Sequence, residues 1–235
     1  SKLLLSNWSI PKLDRVLEQT DIRLSRSLDF VSPNNIKVSC VQMALHNELP
    51  AKDALEMVLG SVNRAVSDGS QLIVFPEYIG LLPLLSSSSL FDLCYQFSED
   101  LLNGDTEPVQ EALSFYTKYL AQPLYESYIR FFSMLAIKAS VYILAGTTIV
   151  YKRQKLCGIL SGKELQTVQT KLCRISVLTG MDQRLFEAAR AAHSLGSQLL
   201  LCPSAFCSSR SSAFFQSCAF MRCQEQPVFA VASWL

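Results

Sequence analysis

The chain has 235 residues, 49% of them hydrophobic and 17% charged, with a formal net charge of +1. A chain of that length and composition buries a large core, which excludes a disordered protein, and one α/β domain is enough to account for it. The charges are scattered and nearly balanced, and no stretch of about 18 residues is free of polar interruption, so neither a nucleic-acid partner nor a membrane is expected.

Eight cysteines stand mostly in apolar settings without a CxxC pair, and they read as reduced intracellular thiols packed as small hydrophobes. Cys218 and Cys223 have no histidine nearby, so no metal site is expected. The first ten residues are too weakly apolar for a secretory leader, which makes the cytoplasm the default location.

Residues 1–35 carry a weak helical period, with Leu13, Val16, Leu17, Ile22, Leu24 and Leu28 among charges, and they close in a turn cluster at 32–35. They are expected to form an N-terminal helical extension docked on a domain spanning 36–235. Residues 36–44 alternate and then run apolar, as a first buried strand does. Residues 51–68 follow a helical period, and 71–76 form a second buried strand that Pro76 stops, delivering Glu77 at its carboxyl end. A carboxylate just beyond a buried strand is costly unless it is partnered, which makes Glu77 a candidate for chemistry.

The serines at 86–89 read as a loop. Residues 98–138 read as helix in two pieces, with an inward stripe of Tyr125, Tyr128, Ile129, Phe132, Leu135 and Ala136. A strand over 141–145 follows, then a hairpin of 155–160 and 164–171 turning at Ser161 and Gly162.

The apolar run 175–178, rich in β-branched residues, predicts a strand that ends in a sharp turn over 179–182. A helix with Leu185, Ala188, Ala189, Ala192 and Leu195 inward is expected next, then a strand over 198–202 halted by Pro203. Strand, turn, helix and strand make a parallel crossover unit, and in open α/β sheets reacting groups gather at strand carboxyl ends. The residue in that position is Gly180. The chain closes with a helix over 213–226, with Ala219, Phe220 and Cys223 inward, and a strand over 228–232.

The segments VSCVQM at 38–43, LIVFPEY at 72–78, ILAGTT at 143–148, GMDQRLFE at 180–187, LLCPSAF at 200–206 and FMRCQEQPVFAVAS at 220–233 resemble, in this order, the nitrilase or carbon–nitrogen hydrolase superfamily. The resemblance covers about residues 36–235. It implies a four-layer αββα sandwich, and it implies hydrolysis of nitriles or non-peptide amides by a Glu–Lys–Cys triad without metal or organic cofactor. It also implies pairing into a homodimer or larger homo-oligomer.

Carried over by residue, Glu77 resembles the general base, Lys171 the lysine that stabilises the tetrahedral intermediate, and Tyr78, Met181 and Phe206 the pocket lining. Asp182, Arg184, Glu187, Arg222 and Glu225 match positions of the interface and scaffold. Gly180 occupies the nucleophile position. The family places a few tens of residues between lysine and nucleophile, whereas Gly180 follows Lys171 by nine positions, and it continues through strands beyond the point where Leu235 ends this sequence. A loop near 172/173 and further strands are therefore expected to be missing.

Glycine supplies no nucleophile, and covalent amide cleavage needs one. Thr179 is expected to point elsewhere because neighbouring strand residues face opposite ways. The expected function is thus a superfamily homologue lacking the thiol-dependent reaction, a binding or assembly subunit whose pocket takes a small amide, amine, nitrile or carboxylate. Two alternatives stand beside it: an active amidase or nitrilase with a substitute nucleophile such as Cys202 or Cys207, and a purely structural interaction module.

Overall fold

The computed structural model describes residues 6–22, 35–43, 49–85, 119–148, 164–205 and 218–234. Two sheets form its centre. In the first, β1 (Val38–Cys40), β2 (Leu72–Val74) and β3 (Tyr142–Leu144) run parallel in that order, with Ile73 opposite both Ser39 and Ile143. In the second, β4 (Thr167–Gln169) pairs antiparallel with β5 (Arg174–Val177). Strand β5 pairs parallel with β6 (Leu199–Ser204), and β6 with β7 (Phe229–Trp234).

Alternation along each strand builds the layers. In the first sheet Leu72 and Val74 face the second, where they join Leu172, Ile175, Leu199 and Leu201 in one apolar cluster. Ile73 and Phe75 face the other way, into a larger core shared with α1 (Ile10–Gln19), α2 (Ala51–Ser67) and α3 (Ala121–Ala139). In the second sheet Leu200 and Cys202 point away from the first and pack against Ala189 and Ala192 of α4 (Phe186–Ser194). Helices, sheet, sheet and helix thus stack as a four-layer αββα sandwich, the architecture expected from the sequence.

Helix α1 lies within the first helical layer. Leu13 and Leu17 are buried, and Arg130 of α3 forms a two-pronged ion pair with Asp14 at 3.1 and 3.2 Å. The Lys138 ammonium donates to the Leu17 carbonyl and, at 2.8 Å, to that of Thr20. That places a cation at the carbonyl-rich end of α1, where the helix dipole favours it. Leu24 and Leu28 lie outside the described residues. Among those residues no helix is long and apolar enough to cross a membrane.

Several sequence expectations shift. On α3 the inward stripe is Leu124, Phe131, Phe132, Leu135 and Ala139, and Ile129 is exposed, since the true stripe is set by the i, i+4, i+7 row through Leu124. Helix α4 begins at Phe186, so Leu185 and Leu195 are exposed and only its alanines face the sheet. In the helical residues 218–225, Cys218, Ala219 and Arg222 are buried while Phe220 points outward.

Strand β6 does not stop at Pro203 but pairs with β7 through Ser204. Proline is tolerated there because its carbonyl, and with it the missing N–H, faces the side from which β5 has already turned away. The proposed hairpin at 155–171 has its first arm, and the serine loop at 86–89 its whole length, outside the described residues. The second arm contains β4, whose partner is β5.

Candidate functional site

Four strand ends meet at one edge of the two sheets. Glu77 follows β2, Thr147 follows β3, Gly180 follows β5 and Ala205 follows β6, each at the carboxyl end of a parallel strand. The first pair is locked tightly. Tyr78 takes a left-handed conformation (φ 61°) and its N–H donates to Thr147 Oγ1 at 2.9 Å, while the Gly80 N–H donates to the Thr147 carbonyl at 3.1 Å. Gly146, at φ 63°, lies so close to Pro76 that a Cβ would stand 1.8 Å from the proline carbonyl oxygen. No other residue type fits there without moving the strand end that carries Glu77.

Glu77 is half-buried, and its Oε2 accepts a hydrogen bond from the Ala205 N–H at 3.2 Å. Burial pushes its carboxyl above the ordinary range. The Ala205 N–H opposes that rise by favouring the charged form, and the nearby Asp182 charge adds to it. The result is a carboxylate better matched to accepting a proton near neutral pH than a solvated one.

Gly180 faces Glu77 directly. Its backbone is left-handed (φ 44°), and a Cβ built on it would lie 3.0 Å and 3.1 Å from the two Glu77 oxygens. It opens a 3-10 turn, Gly180–Arg184, that leads into α4. A side chain at position 180 would therefore project straight at the carboxylate from a sharp strand-to-helix turn.

Glu77, Thr179 and Asp182 line a cavity of about 880 Å³ between the sheets, whose apolar walls include Tyr142, Leu144 and Val177. Glu164 and Thr170 add polar groups on the β4 side. No lysine, arginine, histidine or cysteine among the described residues lines it. Nor do the described residues contain a group of three or more histidine, cysteine, aspartate or glutamate side chains placed to hold a metal ion.

Lys171 does not join Glu77. It is exposed, in the turn between β4 and β5, with its N–H donating to the Tyr142 hydroxyl at 3.1 Å. Leu172 and Cys173 are adjacent in that turn, which the Thr170 hydroxyl closes by donating to the Cys173 carbonyl and accepting from both of their N–H groups. The turn lies at the amino end of β5 and Gly180 at its carboxyl end. At about 3.3 Å per residue, the five steps from Cys173 to Leu178 alone span roughly 16 Å, beyond the reach of a lysine side chain.

Of the other expected site residues, Tyr78 is 42% exposed and absent from the cavity wall, because its left-handed backbone turns the side chain outward. Phe206 and the Met181 side chain lie outside the described residues. Asp182 sits in the 3-10 turn and faces the cavity, and Leu185, not an acidic residue, precedes the first turn of α4. Arg184 and Glu187 are exposed, and the Arg190 guanidinium lies 5.2 Å above the Phe186 ring. Arg222 is buried and donates to Glu225 at 2.6 Å, a pairing that ties the helical residues 218–225 internally.

Sequence reasoning missed two residues. Thr179 lines the cavity with Ile175 and Val177, and the signal was present: strand alternation puts 175, 177 and 179 on one face. Gln183, a polar residue beside the expected helix, is 1% exposed, and its Nε2 donates to the Pro203 carbonyl (3.1 Å) and the Ser204 hydroxyl (2.7 Å). Nothing local signals that burial. Among the described residues no cysteine lines the cavity with Glu77: Cys202 is fully buried and pushed up to about 12, and burial also raises Cys173. Cys207 lies outside the described residues.

No protein-family model matches the chain, and no curated protein matches it in sequence. Solved structures do match. An amidase of the nitrilase superfamily from Nesterenkonia AN1, in a cysteine-to-alanine mutant, is 14% identical, with a TM-score of 0.57 over 85% of this chain and 76% of its own. Saccharomyces cerevisiae Nit3, a nitrilase-superfamily member, is 18% identical, with a TM-score of 0.58 over 85% and 75%. A carbon–nitrogen hydrolase from Helicobacter pylori G27 is 16% identical, with a TM-score of 0.57 over 85% and 73%. The chain therefore has the fold shared by the nitrilase-superfamily amidases and carbon–nitrogen hydrolases.

Proposed function

We propose that this chain is a carbon–nitrogen hydrolase homologue that has lost the thiol-dependent reaction and serves as a binding or assembly subunit, its cavity holding a small ligand against Glu77. One observation carries the reading. The place from which a nucleophile would face the Glu77 carboxylate is the Cβ position of residue 180, and that residue is glycine. In a mutant of the Nesterenkonia amidase, acrylamide has undergone Michael addition at the active-site cysteine. Here no described cysteine reaches the cavity and Lys171 stands at the far end of β5, so among the described residues neither remaining member of the expected triad stands beside Glu77.

The lining also narrows the ligand. With Glu77, Asp182 and Glu164 on its walls and no described cation, the cavity favours a group that donates N–H bonds, an amide or an amine, over a carboxylate. Assembly is read onto the face where Arg184, Leu185, Phe186 and Glu187 are exposed. Sedimentation tests that part, since Phe186→Glu should yield a smaller species than the natural chain. An unchanged sedimentation coefficient removes the assembly face.

Ammonia release from short nitriles, amides and carbamoyl amines tests the main reading, with the natural chain, Glu77→Ala and Gly180→Cys side by side. The natural chain should release no more ammonia than Glu77→Ala, while a bound amide or amine raises its melting temperature by linkage. Ammonia release that Glu77→Ala abolishes overturns the proposal. The presence of Thr179 in the same cavity supports a second reading, hydrolysis by a threonine hydroxyl with Glu77 as base. That reading requires any such activity to vanish in Thr179→Ala as well.

A further inference from the structure

The β5–β6 ladder ends where the Leu178 N–H donates to the Leu201 carbonyl, and beyond it the two strands part. Strand β6 runs on beside β7 to Ser204, and β5 turns into the 3-10 segment Gly180–Arg184. The Gln183 amide spans the gap. Its orientation is fixed, because the Pro203 carbonyl has no proton to give and must be met by the NH2 side of the amide. The same NH2 donates to Ser204 Oγ. Gln183 Oε1 is left buried, with no partner among the described residues.

An apolar side chain of the same length would remove the orphaned acceptor but leave the buried Pro203 carbonyl and Ser204 hydroxyl without this donor, so the amide acts as a specific tie. What it contacts suggests what the tie holds. Ser204 immediately precedes Ala205, whose N–H donates to Glu77 Oε2, and Gly180, at the other end of Gln183's own turn, abuts the same carboxylate. Glu77, Ala205, Ser204, Gln183 and Gly180 thus close a ring around the site.

We propose that Gln183 is a positioning residue: by holding the end of β6 it sets where the Ala205 N–H stands, and through that bond it fixes the Glu77 carboxylate at the cavity. Its functional meaning rests on the reading of Glu77 as the ligand-facing group. The geometry is independent of that reading, and the test is made on the free protein, so the two fail separately.

The experiment is a carbon-13 NMR titration of the side-chain carboxyls, with the Glu77 signal assigned by its loss in Glu77→Gln. Gln183→Met keeps the length and removes both N–H donors. Loss of the Ala205 hydrogen bond leaves burial and the Asp182 charge unopposed, so the Glu77 midpoint should move to higher pH. Ser204→Ala removes one of the two acceptors and should move it the same way by less. A folded Gln183→Met with a lowered melting temperature and an unmoved Glu77 midpoint reduces Gln183 to a structural tie and overturns the proposal. If Gln183→Met does not fold, Ser204→Ala decides alone: an upward shift supports the positioning role and an unmoved midpoint overturns it.

Discussion

The two sheets carry their helices in different ways. The first sheet meets three helices through large side chains: Phe75, Phe132, Leu13, Val58 and Leu135 are buried in one core, with the Phe75 and Phe132 rings edge to face at 5.3 Å. The second meets α4 through Ala189 and Ala192, so helix and sheet approach closely over little apolar area. Among the described residues the larger apolar core lies on the first sheet, which delivers Glu77 from a glycine-locked strand end. The second presents backbone at the site, with a bare Gly180 and a hydrogen-bonded glutamine behind it. A site assembled from two such halves takes its carboxylate from the first whatever residue stands at position 180 of the second.

The contrast is open to mutation. Phe132→Ala removes a ring from the larger core and should destabilise by about 3–5 kcal/mol, measured by urea denaturation. A loss below about 1 kcal/mol would mean that the helical layer is not the main store of stability. Gly146→Ala forces a Cβ onto the Pro76 carbonyl at a left-handed position, and a loss of about 3 kcal/mol is expected from strain and clash together. It should also disturb the Glu77 NMR signal, which Phe132→Ala leaves in place.

On the second sheet the sign of the volume change matters instead. Ala192→Leu must push α4 outward and should cost about 1–3 kcal/mol, whereas a neutral outcome would show that α4 is not closely seated. Gly180→Cys adds a side chain at φ 44° and should lower stability by about 1–2 kcal/mol.

The smallest effect concerns charge. Because burial raises the Glu77 carboxyl in the folded chain, its ionisation weakens the folded state: that stability is fully present below the ordinary carboxylate range and is lost as pH rises through the shifted value. Glu77→Gln should therefore melt higher than the natural chain at neutral pH, with the gain vanishing in acid. A gain that persists at low pH would show that ionisation is not its source.

Much of this was legible in the sequence because it depends on local pattern. The period of α2 gave its buried face, as Ala54, Val58, Val62 and Ala65 show, and the apolar run at 72–75 ending in a proline announced where Glu77 would stand. The identity of residue 180 is likewise read directly. Thr179 shows how narrow the margin is, since the alternation that placed Ile175 and Val177 also placed it. Lys171 shows the limit. Its place after a predicted strand suggested a catalytic role, but the tight turn at 170–173 leaves it at the end of β5 remote from Glu77, and only the β4–β5 register reveals that.

Periodicity along one element determines which residues share a face, and the sequence by itself therefore determined the alternating α/β plan, the candidate carboxylate and the glycine at position 180. Which faces meet is a matter of long-range packing. Tertiary structure alone decided that Ala205 rather than Lys171 partners Glu77, and that Gln183 is buried behind the site. Those contacts join residues far apart in the chain, such as Glu77 and Ala205, whose pairing no local spacing encodes.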